Sequence, residues 1–139
     1  MIRLNTDTLR YIAALEKTSG AQVKDCIVTE DEIIYIVSEE QLGQAIGTGG
    51  QHVNKIRNAL GKQVRIVGFK ENPVEFTKKL IAFVEPKSIT LEETETEKHI
   101  IIESDYKSHG SIRGKRDKKL KILKELLKRH HNVDDVILR

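Results

Sequence analysis

Gln44-Ala45-Ile46-Gly47-Thr48-Gly49-Gly50-Gln51-His52-Val53-Asn54-Lys55-Ile56 places three glycines within four positions, with apolar residues at helical spacing on both sides. Upstream, Leu42, Ala45 and Ile46 stand at i, i+3 and i+4, which predicts a short helix over Gln41–Ile46. Downstream, Val53, Ile56 and Leu60 recur at three- and four-residue intervals and Gly61 supplies a stop, so a second helix starts as soon as the glycines end. The bend joining them lacks most of its side chains, and the helix that follows directs free N–H groups with partial positive charge toward it. A polyanion can approach such a bend closely. Thr48, Gln51, His52 and Lys55 are placed to line that approach. A purely structural reading also exists, in which the glycines only permit a sharp turn and Gly47 ends the first helix.

The surrounding elements narrow the choice. Before the bend, Asn5-Thr6 offers a helix cap, Leu9, Ile12 and Ala13 share a helical face, and Gly20 supplies the stop. Asp25–Thr29 and Ile33–Val37 are β-rich runs joined by Glu30-Asp31-Glu32, and after the bend Gln63–Gly68 alternates as a strand. The first unit therefore reads αββααβ. The second half repeats this order. Asn72 caps and Pro73 opens a helix in which Glu75 completes a capping box, Phe76, Leu80 and Phe83 line one face, and Pro86 is the end. Ser88–Glu92 and His99–Glu103 are strands around an acidic connector; Tyr106–Arg113 is weakly patterned; Leu120, Leu123 and Leu127 mark a helix, and Val133–Leu138 a final strand. A shift of 67 residues sets Gly47 on Gly114, Val53 on Leu120, Ile56 on Leu123 and Leu60 on Leu127, a match of period consistent with duplication.

With the flanking helices and the element order in place, Ile46-Gly47-Thr48-Gly49-Gly50 resembles the Ile-Gly-x-x-Gly signature of K-homology (KH) domains. The order αββααβ is similar to their type II form. The expected fold class is accordingly α+β: two tandem type II KH domains, 1–70 and 71–139, each with a three-stranded sheet packed by helices. The resemblance implies that the loop clamps the backbone of about four nucleotides while the bases lie on an aliphatic groove.

The second unit departs from the signature. Its loop aligns as Gly114-Lys115-Arg116-Asp117, so Asp117 replaces the last glycine, and Arg113 stands where an isoleucine is expected. An acidic side chain there repels phosphate and restricts backbone approach. Yet Lys107–His131 holds ten Lys/Arg against two acidic residues, too few for an ordinary solvated face of alternating sign. Phosphate attraction by Gly114, Lys115, Arg116 and Lys118 is the expectation.

Composition excludes several classes. The chain has 139 residues, 38% hydrophobic and 32% charged, with net charge +3, so the distribution of basic residues carries more information than their sum. No apolar run approaches the roughly 20 residues of a membrane span, and the first residues resemble neither a secretion signal nor a transit peptide, which points to the cytoplasm. Cys26 is the sole cysteine, so neither an internal disulfide nor a cysteine-built zinc site can form; it is read as a small core residue. There is no Trp, and the three Phe and three Tyr are read mostly as core or structural residues rather than a stacking platform. Gly110–Arg116 is one residue short of a P-loop and places Arg116 where a magnesium-binding hydroxyl belongs. His130 and His131 are adjacent and diverge, a poor metal pair. The expected catalytic residues, cofactors and metals are none.

Over nearly the whole chain, paired units of this kind resemble the compact archaeal NusA family. The matching residues are Ile46, Gly47, Thr48, Gly49, Gly50, Val53 and Ile56 in the first unit and Gly114, Lys115, Leu120 and Leu123 in the second; Arg113 and Asp117 do not match. The resemblance implies single-stranded RNA as partner, a role in transcription elongation or termination, and RNA polymerase as a protein partner. Bacterial members carry a polymerase-binding domain and an S1 domain for which two such units leave no room. Two other readings share the scaffold: a protein-interaction module docking on polymerase or ribosome, and a ribosome-biogenesis RNA binder.

Overall fold

The computed structural model describes residues 6–139. Asn5, expected to cap the first helix, lies outside the described residues, as does the side chain of Thr6. The chain divides into two compact units, with the boundary between Lys70 and Glu71.

In the first unit, α1 (Thr6–Ser19), β1 (Val23–Val28) and β2 (Glu32–Ser38) lead through a 3₁₀ turn at Glu39–Gln41 into α2 (Leu42–Ile46). A second 3₁₀ turn at Thr48–Gly50, α3 (Gln51–Leu60) and β3 (Gln63–Phe69) complete it. Strands β1 and β2 are antiparallel, with Cys26 opposite Tyr35, and end one residue before Thr29, whose hydroxyl accepts from the N–H of Asp31 and Glu32 and closes the hairpin turn. Strands β2 and β3 are parallel, with Tyr35 opposite Ile66. Parallel neighbours need a crossover, and here the crossover is α2, the glycine bend and α3. The sheet thus holds both ends of the segment carrying the bend.

Ile33, Tyr35 and Val37 alternate onto one sheet face and meet Tyr11, Leu15, Ala45 and Ile56 from the helices in a single buried cluster. Burying each such aliphatic contributes about 1.5–3 kcal/mol. The Tyr35 hydroxyl donates to the Tyr11 carbonyl at 2.7 Å, and burial pushes its phenol well above the ordinary value. That bond fixes the phase of α1, which differs from the expected one. Thr8, Tyr11 and Leu15 are buried, whereas Leu9 is 51% exposed and Ala13 also faces out. Cys26 is a buried core residue.

The second unit runs α4 (Pro73–Leu80), β4 (Ser88–Glu93), β5 (Lys98–Glu103), α5 (Tyr106–Arg113), a 3₁₀ turn at Lys115–Asp117, α6 (Lys118–His131) and β6 (Asp135–Leu138). Its sheet has the same topology: β4 and β5 antiparallel, β5 and β6 parallel, with Ile100 opposite Val136. Asn72 caps α4 by accepting from the N–H of Val74 at 2.8 Å and Glu75 at 3.2 Å, while the Glu75 carboxylate pairs with Lys78. The helix ends at Leu80, six residues before Pro86. Ile81 leaves helical geometry (φ −112, ψ 33) and is 2% exposed, so turning this β-branched side chain into the core takes precedence over continuing the helix. Phe83 is consequently 46% exposed instead of sharing a face with Phe76 and Leu80. The weakly patterned Tyr106–Arg113 is a helix because Asp105 caps it, accepting from Ser108 N–H at 2.7 Å; that bond holds the Asp105 carboxyl below its usual range. Strand β6 starts at Asp135 and not Val133, since Asn132 (φ 54) closes α6 and Val133 N–H bonds back to Leu127. Phe76 packs against the rings of His130 and His131, which are therefore helix-packing residues.

Candidate nucleic-acid interface

Helix α2 ends at Gly47 (φ 80, ψ 165), a conformation open only to glycine, and the space at its α-carbon is occupied as well: an added Cβ would lie 2.7 Å from His52 Nδ1. The His52 ring is held there by a 2.8 Å bond between Nδ1 and the Gln44 carbonyl. A carbonyl only accepts, so Nδ1 carries the proton and Nε2 is the atom left to meet a ligand. His52, expected to line the clamp, thus also braces it. Gln44, which sequence reasoning did not single out, supplies the brace's anchor and ties the loop to α1 through its amide, 3.0 Å from the Ser19 carbonyl. Gly49 is the opposite case. It has φ 62, yet a Cβ there would meet nothing within 4 Å, so its outer side is open to solvent. Gly50 follows at φ 75 and precedes α3, whose first turn has no side-chain cap. Thr48, Gln51 and Lys55 are exposed and Ile46 is half-buried. Gln51, His52 and Lys55 rise from the bend at helical i+1 and i+4 positions, where they can flank a strand laid across Gly49.

The second loop repeats this backbone with different side chains. Gly114 (φ 69, ψ −177) stands for Gly47, Arg116 (φ 57, ψ 33) for Gly49 and Asp117 (φ 59, ψ 20) for Gly50. Two L-residues are thereby held in left-handed conformation, at a cost of about 1–2 kcal/mol for Arg116 and less for Asp117, since Asp tolerates that region better. Ile112 is buried and takes the core position of Ala45, which leaves Arg113 outside. There Arg113 approaches Asp117 to 3.9 Å, so the carboxylate expected to repel phosphate has a cation beside it. Lys115, Arg116 and Lys118 are exposed around the bend, and Lys121 and Lys128 extend the basic row along α6. Arg129 is paired with Glu125 at 2.9 Å and Lys124 with Asp135 at 3.1 Å, so the stripe is partly neutralised away from the loop. Lys119 lies over the Phe83 ring, 4.6 Å from its centre, a neighbour that the supposed α4 face concealed.

Among the described residues no helix is long and apolar enough to cross a membrane and no His/Cys/Asp/Glu group could hold a metal ion. Residues 9–75 match the model of the KH domain. The probable transcription termination protein NusA of Methanocaldococcus jannaschii is 24% identical over 97% of this chain and 74% of its own length. Its namesake in Halobacterium salinarum is 28% identical over 99% of this chain and 98% of that protein. Among solved structures, the crystal structure of APE1850 superposes with a TM-score of 0.74 at 30% identity, covering 98% of this chain and all of the other. Two sheets of one topology, two bends of one backbone geometry and similarity along almost the full length converge: the chain is a NusA-like protein, akin to the archaeal ones, built from two tandem KH-type units.

Proposed function

We propose that this protein is a non-catalytic, cytoplasmic factor that binds single-stranded RNA during transcription, with 1–70 and 71–139 acting as successive KH domains. The single supporting observation is the open side of Gly49: a bend whose backbone is braced from within by His52 but faces solvent without a side chain at its crown, directly before an uncapped helix. Sugar-phosphate takes that place, bonded by main-chain N–H groups of Thr48 and Gly49, the Gly50 N–H being already given to the Gly47 carbonyl at 3.0 Å. Gln51, His52 and Lys55 flank the strand, and half-buried Ile46 supplies apolar surface to a base. In the second unit Gly114, Lys115, Arg116 and Lys118 continue the track mainly by charge. The names of the archaeal relatives support a place in transcription termination, and RNA polymerase is the protein partner proposed for that place.

The test is Thr48→Asp with Gly49→Asp. Two carboxylates at an exposed crown repel phosphate and meet no core atom, so RNA binding by the full chain is lost while stability to thermal unfolding falls only by the left-handed strain of one Asp, below about 1–2 kcal/mol. Intact affinity would refute the site. Polymerase association that survives nuclease treatment supports the partner, and recovery abolished by nuclease limits the protein to RNA.

A further inference from the structure

Among the large apolar side chains of the described residues, Leu9, Phe83 and Tyr106 are the exposed ones, and only Phe83 is shown with a lysine over its ring. Phe83 occupies the turn after α4, where Val84 N–H bonds to the Ile81 carbonyl at 3.0 Å. Lys119 connects it to the second bend, because the Lys119 stem packs on Gly114 so closely that an added Cβ there would lie 2.6 Å from Lys119 Cγ. Loop, lysine and aromatic ring are therefore contiguous, and Lys115, Arg116 and Lys118 surround them with positive charge. An aromatic face carries no sequence code but accepts any nucleobase, and a cation beside it suits the phosphate joined to that base.

We propose that Phe83 and Lys119 form a base-stacking station of the second unit, in which one nucleobase of a single-stranded RNA lies on the Phe83 ring while the Lys119 ammonium turns to its phosphate. The inference rests on the reading of the chain as an RNA binder and adds what a charge track lacks: a contact with the base itself. The shift of 67 residues sets Phe83 on Glu16, a helical residue of α1 whose carboxylate accepts from the Val23 N–H, so the station belongs to the second unit alone.

Because the chain contains no Trp, Phe83→Trp introduces a unique fluorophore. Titrating that full-length variant with a twelve-nucleotide oligoadenylate should quench and shift its emission, whereas an oligonucleotide of equal length and charge lacking bases should not. Phe83→Ala should weaken oligoadenylate binding by about tenfold, within the range found for loss of one stacked base, and leave abasic binding and the salt dependence unchanged. Lys119→Gln should instead flatten the salt dependence by about 0.7, one phosphate. Gly49→Asp separates the two levels of the argument. If wild type binds and Gly49→Asp abolishes binding, but Phe83→Ala binds normally or Phe83→Trp emission ignores bases, the station is refuted and the RNA-binding reading stands. Absence of wild-type binding overturns both.

Discussion

The two bends share a backbone and differ in what holds it. In the first, glycine allows the left-handed crown, and a ring fixed by a hydrogen bond supports it from inside. In the second, Arg116 and Asp117 hold the same angles against their own preferences, and the support below Gly114 is the flexible stem of Lys119. The first bend is thus built for close backbone approach, and the second exchanges that approach for charge. Side-chain identity has diverged at the crown while the crossover between two parallel strands has kept the path of the chain.

The largest effect is expected where the bends differ in compliance. Gly47→Ala must both leave the glycine-only region and displace a held imidazole, so it should destabilise the first unit by about 1–3 kcal/mol from backbone strain alone, with more from the clash, and abolish RNA binding. Gly114→Ala meets a methylene chain that can swing aside and should stay near the low end of that range. His52→Ala added to Gly47→Ala should recover part of the loss, as a thermal-unfolding double-mutant cycle would reveal. Equal costs at the two glycines would mean that His52 does not brace the first bend.

Charge comes next. If four phosphates are neutralised, the logarithm of affinity should fall with that of salt at a slope of about −3, and joint replacement of Lys115, Arg116 and Lys118 by Gln should flatten it by about 2. An unchanged slope would remove the second unit from the RNA path. Smaller still is the strain. Arg116→Gly and Asp117→Gly each relieve a left-handed residue and should raise stability by up to about 1 kcal/mol, less the added freedom of glycine in the unfolded chain. Their effects on RNA should be opposite: Asp117→Gly strengthens binding by removing a carboxylate and opening the crown, and Arg116→Gly weakens it by removing a cation.

These contrasts mark what the sequence made legible. Periodicity around Gly47 and the repeat at 67 residues located both crossovers, because a helix pair between parallel strands imposes its spacing whatever the side chains. The phase of α1 was misplaced by one position since Tyr11, an amphipathic residue, turns inward for the sake of the Tyr35 hydroxyl, a partner 24 residues away that no local pattern contains. The end of α4 was misplaced because Lys79-Leu80-Ile81-Ala82-Phe83 has ordinary helical character and only the burial of Ile81 breaks it. Phe83 was hidden by the same error. Nor could Arg116 and Asp117 advertise a glycine-like bend, since the conformation they adopt is the one their side chains disfavour.

The smallest expected effect concerns acid. Asp135, at the start of β6, accepts from Lys124 at 3.1 Å and from the N–H of Val136 at 2.8 Å. Partial burial would raise its pKa, but the Lys124 bond and the Val136 N–H together outweigh it and hold the carboxyl below the usual range. A carboxylate with a depressed folded value contributes stability that is fully present above its unfolded value, about 3.9, and disappears as pH falls through the lower folded one. In the first unit β3 opens with Gln63, which brings no carboxylate to the start of that strand. Below about pH 4 the β6 amides should therefore gain hydrogen-exchange rate before those of β3 do, with Asp105 adding to the same trend at α5. Asp135→Asn should remove much of this acid sensitivity while costing at most a few tenths of a kcal/mol at neutral pH, about the worth of a solvent-exposed ion pair. If β6 and β3 respond alike in the wild type, or if Asp135→Asn leaves the β6 profile unaltered, the α6–β6 link is not what distinguishes the two units in acid.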